Sequence, residues 1–278
     1  MPQTQTMPLI PRRVDFTFGE VQPVWLADSV KTQFMQALSL FIPTSERIVI
    51  DILRKHQVNV DDQEIQLLIT DLIKQEGQHA AMHRRANCGI LKQHPELKWV
   101  MALQAKFMGL VQTMSSQAFQ LAIPVAFEHV TAAISKDVLS HKKYWIADDV
   151  EENAARDFLL WHCLKEFEHQ SACHVIYRHT YKHSFKHNAR IILSLLLLWL
   201  PVTSLSIFCV QFYLLMKDKT LLKPSNWLPF IGVTSRTCAL FVQGLFKYRK
   251  KDNVIWSDKE IALYESACEE YNLRQYKP

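Results

Sequence analysis

Glycine is scarce in this chain, which has only 6 among its 278 residues, against a usual share of about 7% in soluble domains. Nucleotide-cradling loops and strand-rich folds generally need more glycine, and neither GxGxxG nor GxxxxGK occurs in the sequence. Apolar residues make up 49% of the chain, which is enough to bury the core of one large domain or two small ones. The composition therefore favours an all-α protein.

Signals of several other protein classes are also missing. The six cysteines lie far apart with no CxxC, as expected of reduced thiols in a cytosolic protein. The N-terminal segment has no apolar core of a secretory signal, so we expect a cytoplasmic location. The net charge is a modest +5, and the basic clusters at 178–190 and 247–251 are typical of surface or juxtamembrane patches. Aromatic and basic residues do not alternate as in an RNA-binding sheet, so we expect no nucleic-acid partner.

Helical periodicity divides the chain into segments. It predicts helices over 29–56, interrupted at Pro43, and over 63–86, capped by Asp61 or Asp62 and stopped near Gly89. Residues 98–140 are one kinked helix or two helices, and 152–181 form another long helix. We therefore expect an extended arm at 1–28, a four-helix bundle at 29–186, and an apolar helical extension at 187–278 that ends in a C-terminal helix.

The extension begins with a long apolar run. Residues 191–216 contain no charge and are long enough to cross a bilayer, which needs about 20 residues. A second apolar stretch, 227–246, is interrupted by Arg236. The two segments are either a membrane hairpin or interfacial anchor, or a pair of buried helices, broken at Pro201, that cover the bundle.

The stretch QEGQHAAMH carries the first sign of chemistry. It places Glu76, His79 and His83 at offsets of three and seven residues, which fall on one stripe of an α-helix. Such a stripe belongs either to a metal site or to a solvated polar face that contains histidines by chance.

A second Glu-x-x-His in the last bundle helix favours the metal site. Each helix pair also has a lone glutamate in its first helix, 30 or 38 residues before the Glu-x-x-His, as a helical hairpin requires to return to the same height. Two such glutamates with two Glu-x-x-His motifs form the ferritin-like di-iron or di-manganese pattern. The candidate metal ligands are Glu46, Glu76, His79, Glu128, Glu166 and His169.

The residue types fit a pair of divalent cations. Four carboxylates balance the charge of two such ions, and neither set is tolerable alone in an apolar bundle. Oxygen ligands with few imidazoles suit Fe best, with Mn or Zn as alternatives. Two more histidines, His83 and His162, lie one turn from a predicted ligand and are either additional ligands or supporting residues around them. For His83 the third alternative is a histidine on the helix surface.

These motifs resemble a known family. PTSERIVI, QEGQHAAMHRRAN, FEHVTA and WHCLKEFEH together resemble the bacterial predicted metal-dependent hydrolases, a family grouped with ferritin-like proteins. The resemblance runs over roughly residues 10 to 250, and it implies the six ligands named above. It departs at Lys165, where the family often has a carboxylate.

The sequence leaves three functions open. The first is a dimetal oxidase or oxygenase that acts on an apolar substrate with O2, the second is a hydrolase that uses metal-activated water, and the third is a non-catalytic metal-binding protein. We expect a small-molecule substrate, such as a lipid or another apolar compound, with a membrane surface and a second copy of the chain as further candidate partners. Association with the inner membrane is the alternative to a wholly cytoplasmic location.

Overall fold

The computed structural model of the protein describes residue 9 and residues 14–19, 24–148, 153–181, 185–248 and 256–270. For most of 185–200 and for 244–248 it describes the backbone alone. Throughout these ranges the regular elements are helices, so the all-α class is confirmed. They are α1 (Ser29–Gln57), α2 (Gln63–Gln93), α3 (Leu97–Met114), α4 (Gln117–Ser140), α5 (Lys142–Trp145), α6 (Ala154–Thr180), α7 (Phe185–Lys217), α8 (Trp227–Tyr248) and α9 (Asp258–Glu270).

Side-chain caps explain where the bundle helices begin. The carboxylate of Asp28 accepts a hydrogen bond from the backbone N–H of Lys31, and Asp62 accepts from the two N–H groups that open α2. Ser116 and Asn153 cap α4 and α6 in the same way. Of the two caps predicted for α2, Asp62 is therefore the one used.

The predicted stop at Gly89 is wrong. Helix α2 continues through Gly89 to Gln93 and ends just before His94 and Pro95. Proline disfavours helical geometry in the residue before it and has no N–H to donate. The proline, rather than the glycine, therefore ends this helix.

Pro43 does not interrupt α1, contrary to the prediction. A proline at this position leaves the carbonyl of Ser39, four residues earlier, without its helical donor. Asn87 of α2 fills that gap, because its Nδ2 lies 2.7 Å from the Ser39 carbonyl oxygen. The helix stays continuous and gains a tie to its neighbour.

Four long helices form the bundle. Helix α1 packs on α2 and α4, and α6 packs on α2 and α4, so the four helices close a ring. Helix α3 is the crossover between the two pairs and lies against α1 and α7. Residues 115–116 are not helical and separate α3 from α4, which confirms two helices within 98–140. The four-helix architecture is thus observed, whereas its ferritin-like assignment stays a prediction.

Helices α7 and α8 form a second layer over the α1 and α4 side of the ring. Their inner residues, such as Val210, Leu214 and Val233, join a core cluster with the first turns of α1. Within the described residues, one helix is long and apolar enough to cross a membrane, and it is α4, whose apolar stretch is 78% buried inside the bundle. The length and apolar character of α4 are thus explained by its burial in the core of the bundle.

The described parts of the predicted arm, residues 14–19 and 24–28, contain neither helix nor strand. Phe16 and Phe18 pack against Phe158 and Trp161 of α6, with ring centroids 5.6–6.1 Å apart. The arm therefore covers the N-terminal half of α6. The boundaries of the arm, bundle and extension stay predictions.

Candidate metal centre

The bundle interior holds eight side chains that can bind metal, and they come from four helices. Helix α1 contributes one, α2 three, α4 one and α6 three, and each is at most 7% exposed. They comprise the six predicted ligands and both additional histidines: Glu46, Glu76, His79, His83, Glu128, His162, Glu166 and His169. The sequence stripes meet because α2 presents offsets 0, 3 and 7 and α6 presents offsets 0, 4 and 7 to the same interior.

Glu166 lies at the centre of the group. Its Oε1 is 3.2 Å from Nε2 of His162, 3.5 Å from Nδ1 of His79 and 4.0 Å from Nδ1 of His169. On one side His169 Nδ1 lies 2.9 Å from Glu76 and 3.5 Å from Glu128, and on the other His79 Nδ1 lies 3.7 Å from Glu46. A central carboxylate with imidazoles on both sides is suited to bridging two ions.

The ligand atoms in this group form four sets of three, and some residues belong to more than one set. Within each set one atom per residue lies within 4.8 Å of the others, a spacing that one ion could span. The sets are Glu46, His83 and His162; Glu76, His79 and His169; His79, His162 and Glu166; and Glu128, Glu166 and His169. His83 and His162 therefore stand within the centre, at its end nearest Glu46.

Most of these ligand atoms have no hydrogen-bond partner. Both oxygens of Glu46, Glu76 and Glu128 are buried without a hydrogen-bond partner outside this group of eight, as are both nitrogens of His79. Burying a carboxylate in an apolar bundle without a compensating charge costs several kcal/mol, which is on the order of the effective penalty for burying any ion. Divalent cations would supply both the missing partners and the missing charge, so the residues present fit a metal centre.

Burial shifts the pKa values of the carboxyl groups upward. For Glu46, burial and the neighbouring carboxylates of Glu76 and Glu166 raise the pKa well above its usual range. Burial and the carboxylates of Glu76 and Glu166 do the same to the pKa of Glu128, and burial also raises the pKa of Glu76. In the absence of cations, protons therefore neutralise part of this cluster.

The histidines divide into two kinds. Burial lowers the pKa of His79 and His83 well below the usual range and lowers that of His162 to about 3. Burial also acts to lower the pKa of His169, but the carboxylates of Glu76 and Glu128 outweigh it and raise that pKa well above its usual range. Three imidazoles are thus neutral at pH 7, which is the form that binds metal.

A buried network orients His169. Nε2 of Gln75 donates to Oε2 of Glu168 at 3.3 Å, so Oε1 of Gln75 faces Nε2 of His169, 2.7 Å away. An amide oxygen only accepts, so His169 must carry a proton on Nε2. In the neutral form of His169, Nδ1, the nitrogen that faces the carboxylates, is then the one available to an ion.

Glu168 is itself held from two sides. Nζ of Lys165 lies 2.9 and 2.8 Å from its two carboxylate oxygens, and the hydroxyl of Tyr264, from α9, donates to Oε1 at 2.7 Å. Lys165 and Glu168 are each 1% exposed. Glu168 therefore links α6 to Gln75 of α2 and Tyr264 of α9.

A second network orients His83. Nδ2 of Asn87 donates to the Ser39 carbonyl, so its Oδ1 faces the Ser39 hydroxyl, which donates its single proton there over 2.7 Å. The same hydroxyl lies 2.8 Å from Nδ1 of His83, and with its proton already used it can only accept. His83 is therefore protonated on Nδ1, and its Nε2, which has no hydrogen-bond partner, is free to bind an ion.

A cavity of about 430 Å³ reaches the centre from one side. It lies between α1, α2, α4, α6 and residues 17–19 and 25, and its wall includes His83 and His162. The other six ligand candidates do not line it. Its apolar wall includes Trp25, Met35, Leu38, Ile42, Ile134, Phe158 and Leu159, and the charged residues on its lining are Arg85 and Lys92.

The supporting residues are what the sequence did not predict. Gln75 directly precedes Glu76, Asn87 lies one turn past His83, and Ser39 is two turns before Glu46 on α1. The one signal in the sequence for such a supporting role is a polar residue next to a ligand, on a part of the helix that is otherwise buried. Many surface residues show the same signal.

A comparison with protein families gives a match over most of the chain. A family model described as a predicted metal-dependent hydrolase matches residues 10–253, which is most of the chain. Neither the curated proteins nor the solved structures contain a match.

Proposed function

We propose that this chain, which belongs to the family of predicted metal-dependent hydrolases, holds two metal ions at the eight-residue centre and uses them to oxidise an apolar small molecule with O2. One observation carries the proposal: four carboxylates and four imidazoles, buried and largely without hydrogen-bond partners, converge where an apolar cavity ends. The family description and the buried clusters already indicate metal dependence.

Each residue of the centre would have a distinct task. Glu166 would bridge the ions, Glu76, Glu128 and His169 would hold one ion, and the remaining four side chains would hold the ion nearer the cavity. Mixed oxygen and nitrogen ligands with no thiolate favour iron, with manganese or zinc as alternatives. Bound as iron, the ions would supply the activation of O2 that carboxylates and imidazoles cannot perform.

The cavity indicates the substrate. Its size falls in the range of about 300–1,000 Å³ that small-molecule sites occupy, and its inner wall is mostly apolar. The charged lining residues, Arg85 and Lys92, are both basic, and Arg85 also pairs with Asp15 at 2.9 Å. An uncharged or anionic apolar molecule, such as a fatty acyl compound, fits these features.

Hydrolysis is the second candidate, and the family description favours it. A pair of ions can lower the pKa of a bound water and hold the oxyanion that forms when this water attacks a carbonyl or phosphoryl centre. The same residues would hold the ions, so the two functions differ in metal identity and in the need for O2.

The first test is metal content and turnover of protein purified from its native cells. We expect two irons per chain, an oxo-bridge absorption band after exposure to air, and O2 consumption with fatty acyl compounds. Zinc or manganese with ester hydrolysis and no O2 consumption would favour the second candidate instead.

Substitution of Glu76 tests the centre itself. Glu76→Ala should remove at least one ion per chain, since both Glu76 oxygens lack another partner, while the bundle should lose less stability than after deletion of a core side chain. Glu265→Ala, at an exposed position on α9, is the matched control. A Glu76→Ala protein that still holds two ions would contradict the proposed ligand set.

We further propose that the enzyme works in the cytoplasm, at the inner face of the membrane. The free cysteines, two of them buried in the bundle, accord with a reducing compartment. Fractionation of cells followed by a high-salt wash tests this location.

A further inference from the structure

Over residues 201–217, the outer face of α7 is apolar, although solvent normally faces charged residues at such a surface. Along this helix the exposed positions follow one stripe with helical spacing, and the residues on it are Val202, Leu205, Cys209, Phe212 and Met216. Leu205 is 65% exposed. The opposite stripe, which includes Val210 and Leu214, is buried against α1. A helix on the surface of a soluble protein usually presents charged residues on this side.

Helix α8 repeats the pattern beside it. Its exposed stripe consists of Leu228, Ile231, Ser235, Cys238 and Val242, none of which is charged. The one charge that interrupts this apolar segment, Arg236, points inward, where its Nε and Nη2 each lie 2.6 Å from the carboxylate of Asp137. The arginine that interrupts the apolar stretch is therefore paired with the bundle, and its side chain is only 28% exposed.

Basic residues gather where the two helices meet. Lys217, Lys219 and Lys223 are exposed in the connection between α7 and α8. Asp218, the single acidic residue between positions 201 and 243, is bonded to Gln33 of α1. The connection also carries exposed Leu222 at 65% and Trp227 at 47%.

We propose that the outer faces of α7 and α8, together with the lysines of their connection, dock on an anionic lipid bilayer, with both helices lying in the plane of the headgroups. An amphipathic layer with leucine, phenylalanine and tryptophan on one side and lysines at its edge binds such a surface through apolar burial and attraction to anionic headgroups. Tryptophan is typical of the membrane–water boundary. A second copy of the chain, docked through the same surface, would offer these lysines only Asp218, which already accepts a hydrogen bond from Gln33.

The position of this layer supports the docking. Asp218 ties the connection to Gln33, and the next turns of α1 provide Met35, Gln36 and Ser39 to the cavity wall. The basic end of the layer therefore lies at the same end of the bundle as the cavity. Docking there would bring an apolar molecule dissolved in the bilayer close to the entrance.

Co-sedimentation with vesicles tests the docking without any assay of activity. The intact protein should sediment with vesicles of phosphatidylcholine and phosphatidylglycerol, should sediment far less with phosphatidylcholine alone, and should be released by high salt. Replacing all three lysines, as Lys217→Glu with Lys219→Glu and Lys223→Glu, should weaken binding by about 100-fold or more. Leu228→Ser with Ile231→Ser should weaken it by at least about tenfold.

Matched controls come from helices outside this layer. Leu67→Ser on α2, where Leu67 is 61% exposed, and Lys259→Glu on α9 should leave vesicle binding unchanged. Circular dichroism and metal content verify that each variant is folded, so lost binding with an intact metal centre tests the surface apart from the proposed chemistry. The proposal is overturned if the wild type does not bind anionic vesicles. It is also overturned if the wild type is a dimer and Leu228→Ser with Ile231→Ser converts it to a monomer.

Discussion

Lys165 and Glu168 form a buried ion pair that supports the metal centre. Removing the lysine leaves the carboxylate without its main cation in a site from which water is excluded, at a cost of about 3–5 kcal/mol. We therefore expect Lys165→Met to lower the free energy of unfolding by that amount, measured by urea denaturation. Lys165→Met combined with Glu168→Gln should recover much of the loss, because no charge then remains to be buried.

The control for this pair is Lys259→Met, at an exposed position on α9, which should change stability by less than about 0.5 kcal/mol. If the single and double variants at 165 and 168 were equally destabilised, the loss would come from packing alone. The ion-pair account would then be wrong.

His174 gives a pH dependence that does not involve the metal centre. Burial, with help from Arg178 and His129, lowers its pKa to about 4, whereas an unfolded histidine titrates near 6.5. Between these values the unfolded chain binds a proton that the folded chain refuses, so stability falls as the pH drops from about 6.5 to 4. The whole effect is at most about 3 kcal/mol.

His174→Gln should remove this contribution. The difference in unfolding free energy between wild type and variant should grow steadily in the variant's favour as the pH falls from 7 to 4.5, measured by denaturation of protein freed of metal. Parallel curves for the two proteins would show that His174 titrates normally.

Single residues also show what a sequence can predict about such a site. The helical spacing of Glu and His in four segments predicted six candidate ligands, and the structure brings all six together. It could not decide the roles of His83 and His162, since a residue one turn from a ligand can face either the centre or a neighbour. It gave no indication of Gln75 or Ser39, whose contacts depend on how helices cross.

At the scale of elements, the junction of α1 and α2 positions His83. Ser39→Ala removes the oxygen that accepts the Nδ1 proton of His83, so the imidazole can take the other tautomer or turn away. Loss of such a supporting contact typically weakens metal affinity by about 10–100-fold. We expect that loss in competition titrations against a chelator, with the unfolding free energy changed by only about 1 kcal/mol.

Ser45→Ala is the matched control on the same helix. Ser45 is also buried, but its hydroxyl donates to the carbonyl of Phe41 in its own helix, at 3.2 Å. Its loss should leave metal affinity unchanged. Equal losses in the two variants would mean that disturbance of α1, rather than orientation of His83, controls the affinity.

Helix boundaries followed local chemistry only in part. The start of α2 and both ends of α6 were predictable within two residues: the sequence placed them at 63, 152 and 181, and the helices run Gln63–Gln93 and Ala154–Thr180. The effects of Pro43 and Gly89 were not, because each depended on a partner outside the local sequence. Asn87 satisfied the carbonyl freed by Pro43, and Ile90, directly after Gly89, lies in a core cluster with residues of α1.

For the whole molecule, α7 and α8 show the limit of composition as evidence. An uncharged run predicts burial or membrane, and the structure divides each described helix lengthwise, with one face in the core and one outside. Only the three-dimensional arrangement separates these faces and turns Arg236 inward. The predicted basic cluster at 247–251 lies almost wholly outside the described residues, so its place relative to this layer stays a prediction.

The charge of the centre makes the stability of the whole bundle depend on metal and pH together. In the metal-free protein the pKa values of Glu46, Glu76, Glu128 and His169 are raised by the causes given above, so the folded state holds protons that the unfolded chain releases. Above about pH 6.5, where the other histidines of the centre are neutral in both states, stability must therefore fall as the pH rises. Bound cations replace these protons and remove this dependence of stability on pH.

Calorimetry of metal-free and manganese-saturated protein should thus show a Tm difference that widens from pH 6.5 to 8, and Glu76→Ala should narrow this difference. A difference that stays constant over this range would show that protons and cations do not compete for these side chains, and the eight residues would then be a structural polar core.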